Sequence, residues 1–273
     1  MRPQKARQDH PTPYPRPRKA LGQHFLTDRG TLRAILEAAE VSPQDLVVEV
    51  GPGRGVLTRE LALRAGRVVA VELDEELAAE LRREALSNVA VVVADGRTVD
   101  VASLVGQQSG YKLLGNLPYY AASPIMRHFL EASARPSIAV VMLQKEVAEQ
   151  VCASPGSMSL LSVAVQVYGR PRVVRRVPPG AFFPRPKVSS AVVRIDVYPE
   201  PALPSQGAEP FFRVARAGFS SPRKQLRNAL AHGLEVSTQV AARVLERAGV
   251  DPRRRAQTLS LEEWRRVFEA VVE

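Results

Sequence analysis

The chain has 273 residues, 45% of them hydrophobic and 24% charged, enough apolar material for one large domain or a large and a small one. Its one cysteine, Cys152, excludes an internal disulfide and a multi-cysteine zinc site, so no metal centre is expected and the compartment reads as reducing. The net charge of +10 is uneven: residues 1–20 carry +5, residues 21–204 carry +1 and residues 205–273 carry +4. That is the pattern of a near-neutral body flanked by segments that meet a polyanion.

Residues 1–20 hold Pro3, Pro11, Pro13, Pro15 and Pro17 among six basic side chains. They cannot bury enough apolar surface to offset the entropy of ordering, and read as a flexible basic arm. From Leu46 short β-rich runs alternate with helical patterns. "DLVVEV" is a strand and "GVLTRELALRA" an amphipathic helix; "GRVVAVEL" and "DEELAAELRREAL" repeat the pair; "NVAVVVAD" is a third strand. "YKLLGN", the helix "ASPIMRHFLEA" and "SIAVVMLQ" follow, and "SSAVVRIDVYP" is one more strand. Apolar runs without alternation indicate strands covered on both faces, as in a parallel sheet, so the fold expected over residues 21–204 is a doubly wound, Rossmann-like α/β sheet. A linker, "PEPALPSQGAEP", leads to purely helical patterns, expected as a small all-helical domain over residues 205–273. No apolar run approaches the roughly 18 residues of a membrane span and no signal-peptide core is visible, so a cytoplasmic location is expected.

The chemistry gathers at the strand ends. "VVEVGPGRGVLTREL" sets Gly51, Gly53 and Gly55 between a strand and a helix, where bare backbone and free N–H groups can meet a ligand. The G-x-G-x-G spacing, rather than G-x-G-x-x-G, favours a ligand without a pyrophosphate, although a purely structural turn would look the same. Glu72 ends the second strand, where a carboxylate can accept both ribose hydroxyls; Asp95 ends the third, placed to accept from an adenine amino group. Three such features in register point to a nucleoside cofactor.

The fourth strand ends in "NLPYY", which hydride transfer does not need and methyl transfer to a base amine does. An exocyclic amine is a poor nucleophile because its lone pair is delocalised into the ring. Acceptors for its N–H groups favour a pyramidal nitrogen: the Asn116 side-chain carbonyl is one, the Leu117 backbone carbonyl a second, and Pro118 stiffens the turn that aims it. Tyr119 offers a face on which an extruded base can stack.

With "LGQHFL" (21–26), "EVGPGRGVLT" (49–58), "VELD" (71–74), "NLPYY" (116–120), "FFPRPKVSSAVVRI" (182–195) and "FSSPRKQLRNAL" (219–230), the chain resembles the ribosomal RNA adenine N6-dimethyltransferases of the KsgA type. The resemblance implies S-adenosylmethionine as cofactor, held by His24, Leu26, Gly51, Gly53, Glu72, Asp95 and Asn116. It implies a catalytic motif of Asn116, Leu117, Pro118 and Tyr119. Phe182 would lie on the other face of the base; the sequence does not settle between Phe182 and Phe183, and spacing favours Phe182. The implied target is a pair of adjacent adenosines in a hairpin loop near the 3′ end of small-subunit ribosomal RNA, met within a partly assembled 30S subunit by a monomer. A loop target suits base extrusion because its bases are already partly unstacked. Arg223, Lys224 and Arg227 are candidate RNA contacts, and Arg253 to Arg255 a further group. Two departures stand out: His24 where the family usually has Asn, and Ser189 where it commonly has Asp. The competing readings are a large-subunit adenine methyltransferase of the macrolide-resistance type and a ribosome-assembly factor acting mainly by binding.

Overall fold

The computed structural model describes residues 15, 17–18, 21–106, 108, 110–202 and 207–272. Of the expected basic arm only Pro15, Pro17 and Arg18 fall among them. A two-residue strand, β1 (Phe25–Leu26), precedes α1 (Arg29–Ala39), whose N-cap Asp28 accepts from the Thr31 N–H. The alternating core follows: β2 (Leu46–Val50), α2 (Val56–Ala62), β3 (Arg67–Glu72), α3 (Glu75–Arg83), β4 (Val89–Val93), α4 (Val101–Val105), β5 (Lys112–Asn116), α5 (Ala122–Glu131), β6 (Ile138–Gln144), α6 (Lys145–Val151) and α7 (Leu160–Gln166). Then come β7 (Gly169–Val177), β8 (Phe182–Phe183) and β9 (Ser190–Val197), and the helices α8 (Ala208–Phe219), α9 (Leu226–Gly233), α10 (Thr238–Arg247) and α11 (Leu261–Val272).

Seven strands form one sheet in the order β4-β3-β2-β5-β6-β9-β7, while β1 and β8 pair antiparallel beside it. β4 through β6 are parallel; β9 is antiparallel to β6, and β7 to β9. Every residue of β2 is buried, because helices cover both faces of this central strand. The chain steps outward from β2 to β3 and β4, then returns to the other side of β2 as β5. That reversal opens a crevice beyond the carboxyl ends of β2 and β5, where a ligand binds in such sheets.

Two strands depart from the sequence reading. β4, whose apolar run reads as covered on both faces, is the edge of the sheet, and Val93 is exposed. β7 ("GRPRVVRRV") went unread because Pro171 and the arginines hide its alternation; it is the opposite edge, where Pro and cations are tolerated and discourage pairing with another chain.

The four C-terminal helices gather around Trp264, which is fully buried. Gly218 lets α8 and α11 approach closely: a Cβ there would stand 2.3 Å from the indole ring. Phe211 and Phe212 of α8 belong to the same continuous core as Val141 and Leu143 of β6, so these helices do not stand apart from the sheet. No described helix is long and apolar enough to cross a membrane.

Candidate active site

The crevice at the switch point is a cleft of about 760 Å³ including its open mouth. Its walls include His24, Gly51, Gly53, Glu72, Asp95, Asn116, Leu117, Pro118 and Tyr119, so nine of the side chains or turns singled out in the sequence meet in one place. The apolar part comes from Val50, Val71, Leu77, Ala94 and Ile125.

The glycine turn between β2 and α2 is left-handed at Gly51 (φ 73°), Gly53 (φ 55°) and Gly55 (φ 70°), a conformation other residues adopt only with strain. At Gly53 the space is also taken, since a Cβ would lie 3.0 Å from the Phe25 ring. The Gly53 N–H donates to Glu72 Oε2 and the Asp74 N–H to Glu72 Oε1, both at 3.0 Å, which holds the carboxylate at the end of β3. Burial pushes the Glu72 carboxyl above its ordinary value, and those two N–H groups pull the other way. Beneath it lies Glu49 of β2, wholly buried. Burial pushes its carboxyl up to about 8, against the neighbouring Thr58 hydroxyl, whose geometry falls short of a full hydrogen bond, and with Glu72 adding to the rise. Burial thus favours the protonated form of Glu49, whereas Glu72, with two N–H donors on its oxygens, is the better placed of the two to carry a charge.

Asp95 lies at the cleft wall, but both its oxygens accept from the Arg97 side chain at 2.6–3.0 Å, and that guanidinium holds its carboxyl below the usual range. Arg97 in turn lies 6.0 Å from the ring of Tyr120, a half-exposed side chain at the rim.

Asn116 is oriented rather than merely present. Its Nδ2 donates to the His24 carbonyl oxygen at 2.7 Å. A carbonyl can only accept, so this bond selects which end of the carboxamide faces β1 and leaves Oδ1 as the acceptor. His24 Nδ1 donates to the Pro184 carbonyl at 2.6 Å, and its ring stacks on Tyr119 with centroids 5.6 Å apart. The Tyr119 hydroxyl is joined to Ser190 Oγ at 2.7 Å, and burial raises its pKa. The His24–Tyr119 pair thus forms a wall shared with a second, more open hollow lined by Gln144, Pro184, Arg185, Pro186 and Lys187.

Two expected side chains are not on the cleft. Leu26 and Phe182 are register partners in the β1–β8 ribbon, and both turn into the core with Val177, Ala181 and Val192. Successive residues of a strand face opposite sides, so Phe25 lines the cleft and Phe183 is exposed. Any contact Leu26 makes with a ligand is left to its backbone. Of the two phenylalanines the structure presents Phe183 to solvent, against the spacing that favoured Phe182. Sequence reasoning also missed Phe25, Glu49, Arg97 and Ser190. Arg97 carried a local signal, two residues after Asp95; the other three carried none, since their roles arise from long-range packing.

Arg223 and Lys224 are exposed between α8 and α9, and Arg227 is half-buried. The backbone ties this segment to the second basic one: the Leu226 N–H donates to the Arg254 carbonyl and the Arg227 N–H to the Pro252 carbonyl. The two basic stretches are therefore neighbours on one surface. Arg254 itself is occupied by Glu263 and Thr258.

The whole of this frame matches one family model, ribosomal RNA adenine dimethylase, over residues 15–271. The chain belongs to that family. Among its relatives are ribosomal RNA small subunit methyltransferase A of Dehalococcoides mccartyi (strain ATCC BAA-2266 / KCTC 15142 / 195) and the protein of that name in Pelotomaculum thermopropionicum. The first is 49% identical over 252 residues, covering 92% of this chain and 87% of the relative. The second is 43% identical over 271 residues, covering 94% and 92%. Among solved structures, the 23S rRNA methyltransferase ErmE superposes with a TM-score of 0.72 at 31% identity, covering 91% of this chain and all of that one. A dimethyladenosine transferase from Plasmodium falciparum superposes with a TM-score of 0.77 at 23% identity, over 89% and 96%, which speaks for the fold alone.

Proposed function

We propose that this member of the family transfers methyl groups from S-adenosylmethionine to the N6 amines of two adjacent adenosines in a hairpin loop near the 3′ end of small-subunit ribosomal RNA. The observation that carries the reading is the anchored carboxamide of Asn116, its Nδ2 spent on the His24 carbonyl at 2.7 Å and its Oδ1 left to accept.

The residues of the cleft suit an adenosyl group. Glu72 offers a carboxylate for ribose hydroxyls, Asp95 an acceptor for the adenine amine, and Val71, Leu77 and Ile125 an apolar bed for the ring. The glycine turn leaves its backbone bare on the same side. When bound, the cofactor supplies an electrophilic methyl on a sulfonium. The chain's own part is to prepare the nucleophile. Asn116 Oδ1 and the Leu117 carbonyl accept the amine hydrogens and stabilise the positive charge that develops on nitrogen. No strong base is required, because the product ammonium is very acidic. Tyr119, its ring fixed between His24 and Ser190, provides a face for the extruded base, worth roughly 1–3 kcal/mol.

The relatives at 43–49% identity carry a small-subunit name, and the reading follows them. The 31% identity to a 23S enzyme keeps a large-subunit target as the second reading. We further propose a partly assembled 30S subunit as substrate, a monomeric enzyme in the cytoplasm, and Arg223, Lys224 and Arg227 among the RNA contacts. Primer extension on undermethylated small subunits, with and without S-adenosylmethionine, tests the set. Cofactor-dependent stops at two adjacent loop adenosines are expected. Methylation confined to large-subunit RNA would establish the second reading, and binding with no methyl incorporation would make the chain an assembly factor.

A further inference from the structure

Among the described residues Phe183 is the most exposed phenylalanine, at 56%. Its position is held from below. The β1–β8 register sets Phe25 opposite Phe183, and Phe25 is nearly buried against the turn at Gly53, where a Cβ would stand 3.0 Å from its ring. The Arg54 guanidinium lies 4.6 Å from the Phe25 centroid and 5.9 Å from that of Phe183, within the range of a cation–π contact to each. A flat cation and an exposed ring thus share one outward face, built on a ribbon whose other face is core.

The surroundings match a polyanion. Arg185 and Lys187 follow on the same loop, are exposed, and make no ion pair among the described residues. The loop lines the open hollow behind Tyr119, while Phe25 and Gly53 line the cofactor cleft. Phe183 therefore pairs with Phe25 of the cleft wall and directly precedes Pro184 of the hollow, while lining neither itself.

We propose that Phe183, with Arg54 beside it, is a stacking subsite for a second RNA base, one that flanks the adenosine entering the cleft. This rests on the RNA-methylating reading above. Every base has a π-face, so the subsite tolerates sequence and contributes affinity and register rather than recognition by hydrogen bonds. Arg185 and Lys187 take the phosphates of the same strand.

The test uses undermethylated small subunits reconstituted with RNA carrying 2-aminopurine at each position flanking the target adenosines. Phe183→Leu keeps the apolar bulk and removes the π-face; Phe183→Trp restores it. In the Leu variant the KM for the subunit is expected to rise roughly 5- to 150-fold, the range that stacking one base spans. The kcat at saturation and the S-adenosylmethionine Kd should stay within about twofold, since Phe183 lines neither contact. Quenching of 2-aminopurine at one flanking position should vanish in the Leu variant and persist in the Trp variant. An unchanged KM with unchanged quenching at every flanking position overturns the subsite. A raised KM with all quenching intact also overturns it, assigning the ring to a protein surface. If the wild-type chain methylates no small-subunit RNA, the parent reading falls with it. If wild type methylates and the Leu variant matches it in KM and quenching, only the subsite falls.

Discussion

Replacing Asn116 by Ala removes two functions that the structure separates. One is the Nδ2 donor to the His24 carbonyl; the other is the Oδ1 acceptor for the substrate amine. Loss of the donor leaves a carbonyl in a half-buried wall without its partner, a cost of about 1–3 kcal/mol in stability. Loss of the acceptor removes a transition-state contact, for which single preorganised groups contribute about 10²–10³ in kcat. Asn116→Asp divides the two, because a carboxylate can accept but cannot donate to His24. It should therefore retain the acceptor yet turn away from the His24 carbonyl, and its rate should fall between wild type and Ala. Single-turnover incorporation of labelled methyl groups into undermethylated small subunits measures the chemical step, and calorimetric titration measures cofactor affinity. The expected result for Ala is a loss of 10²–10³ in the single-turnover rate with a change in cofactor Kd below about tenfold. A rate within threefold of wild type in Asn116→Ala would refute the role given to this amide.

Glu72→Ala should do the reverse, weakening S-adenosylmethionine binding by roughly 10- to 150-fold through lost charge-assisted hydrogen bonds while sparing the rate at saturation; an unchanged Kd in calorimetry would remove Glu72 from the cofactor site. Glu49 sets a pH dependence of stability. Its folded pKa of about 8 lies above the usual carboxylate value of 4.5, so between these values the folded state holds a proton that the unfolded state has lost. Its contribution is intact below about 4.5 and falls as pH rises toward 8, by at most roughly 5 kcal/mol. Thermal melts of wild type and Glu49→Gln should diverge in favour of the variant between pH 5 and pH 8, and parallel curves would contradict an uncharged Glu49. Tyr119→Phe and Ser190→Ala each delete the same 2.7 Å bond, so their effects on the KM for RNA should not add in the double variant. Additive effects would mean that the bond does not position the ring.

The features legible in sequence are those that depend on neighbours along the chain. Strand–helix alternation announces the sheet, and Gly51, Glu72, Asp95 and Asn116 stand at strand ends because a parallel sheet delivers every carboxyl end to one edge. Their meeting in one cleft follows from that periodicity alone. β7 was illegible because an edge strand needs no apolar alternation, and the exposure of β4 was illegible because strand order is not written in any local run.

Tertiary structure decided the rest through contacts between distant residues. The antiparallel register of β1 with β8 determined that Leu26 and Phe182 enter the core, while Phe25 lines the cleft and Phe183 faces solvent. The same ribbon brought the His24 carbonyl to the Asn116 carboxamide, 92 residues away, and so fixed which of its ends is free to accept. Composition and spacing specify which chemical groups are available at the strand ends. Their orientation was settled only by partners the fold brings to them: the His24 carbonyl for Asn116, the Gly53 and Asp74 N–H groups for Glu72, and the Arg97 guanidinium for Asp95.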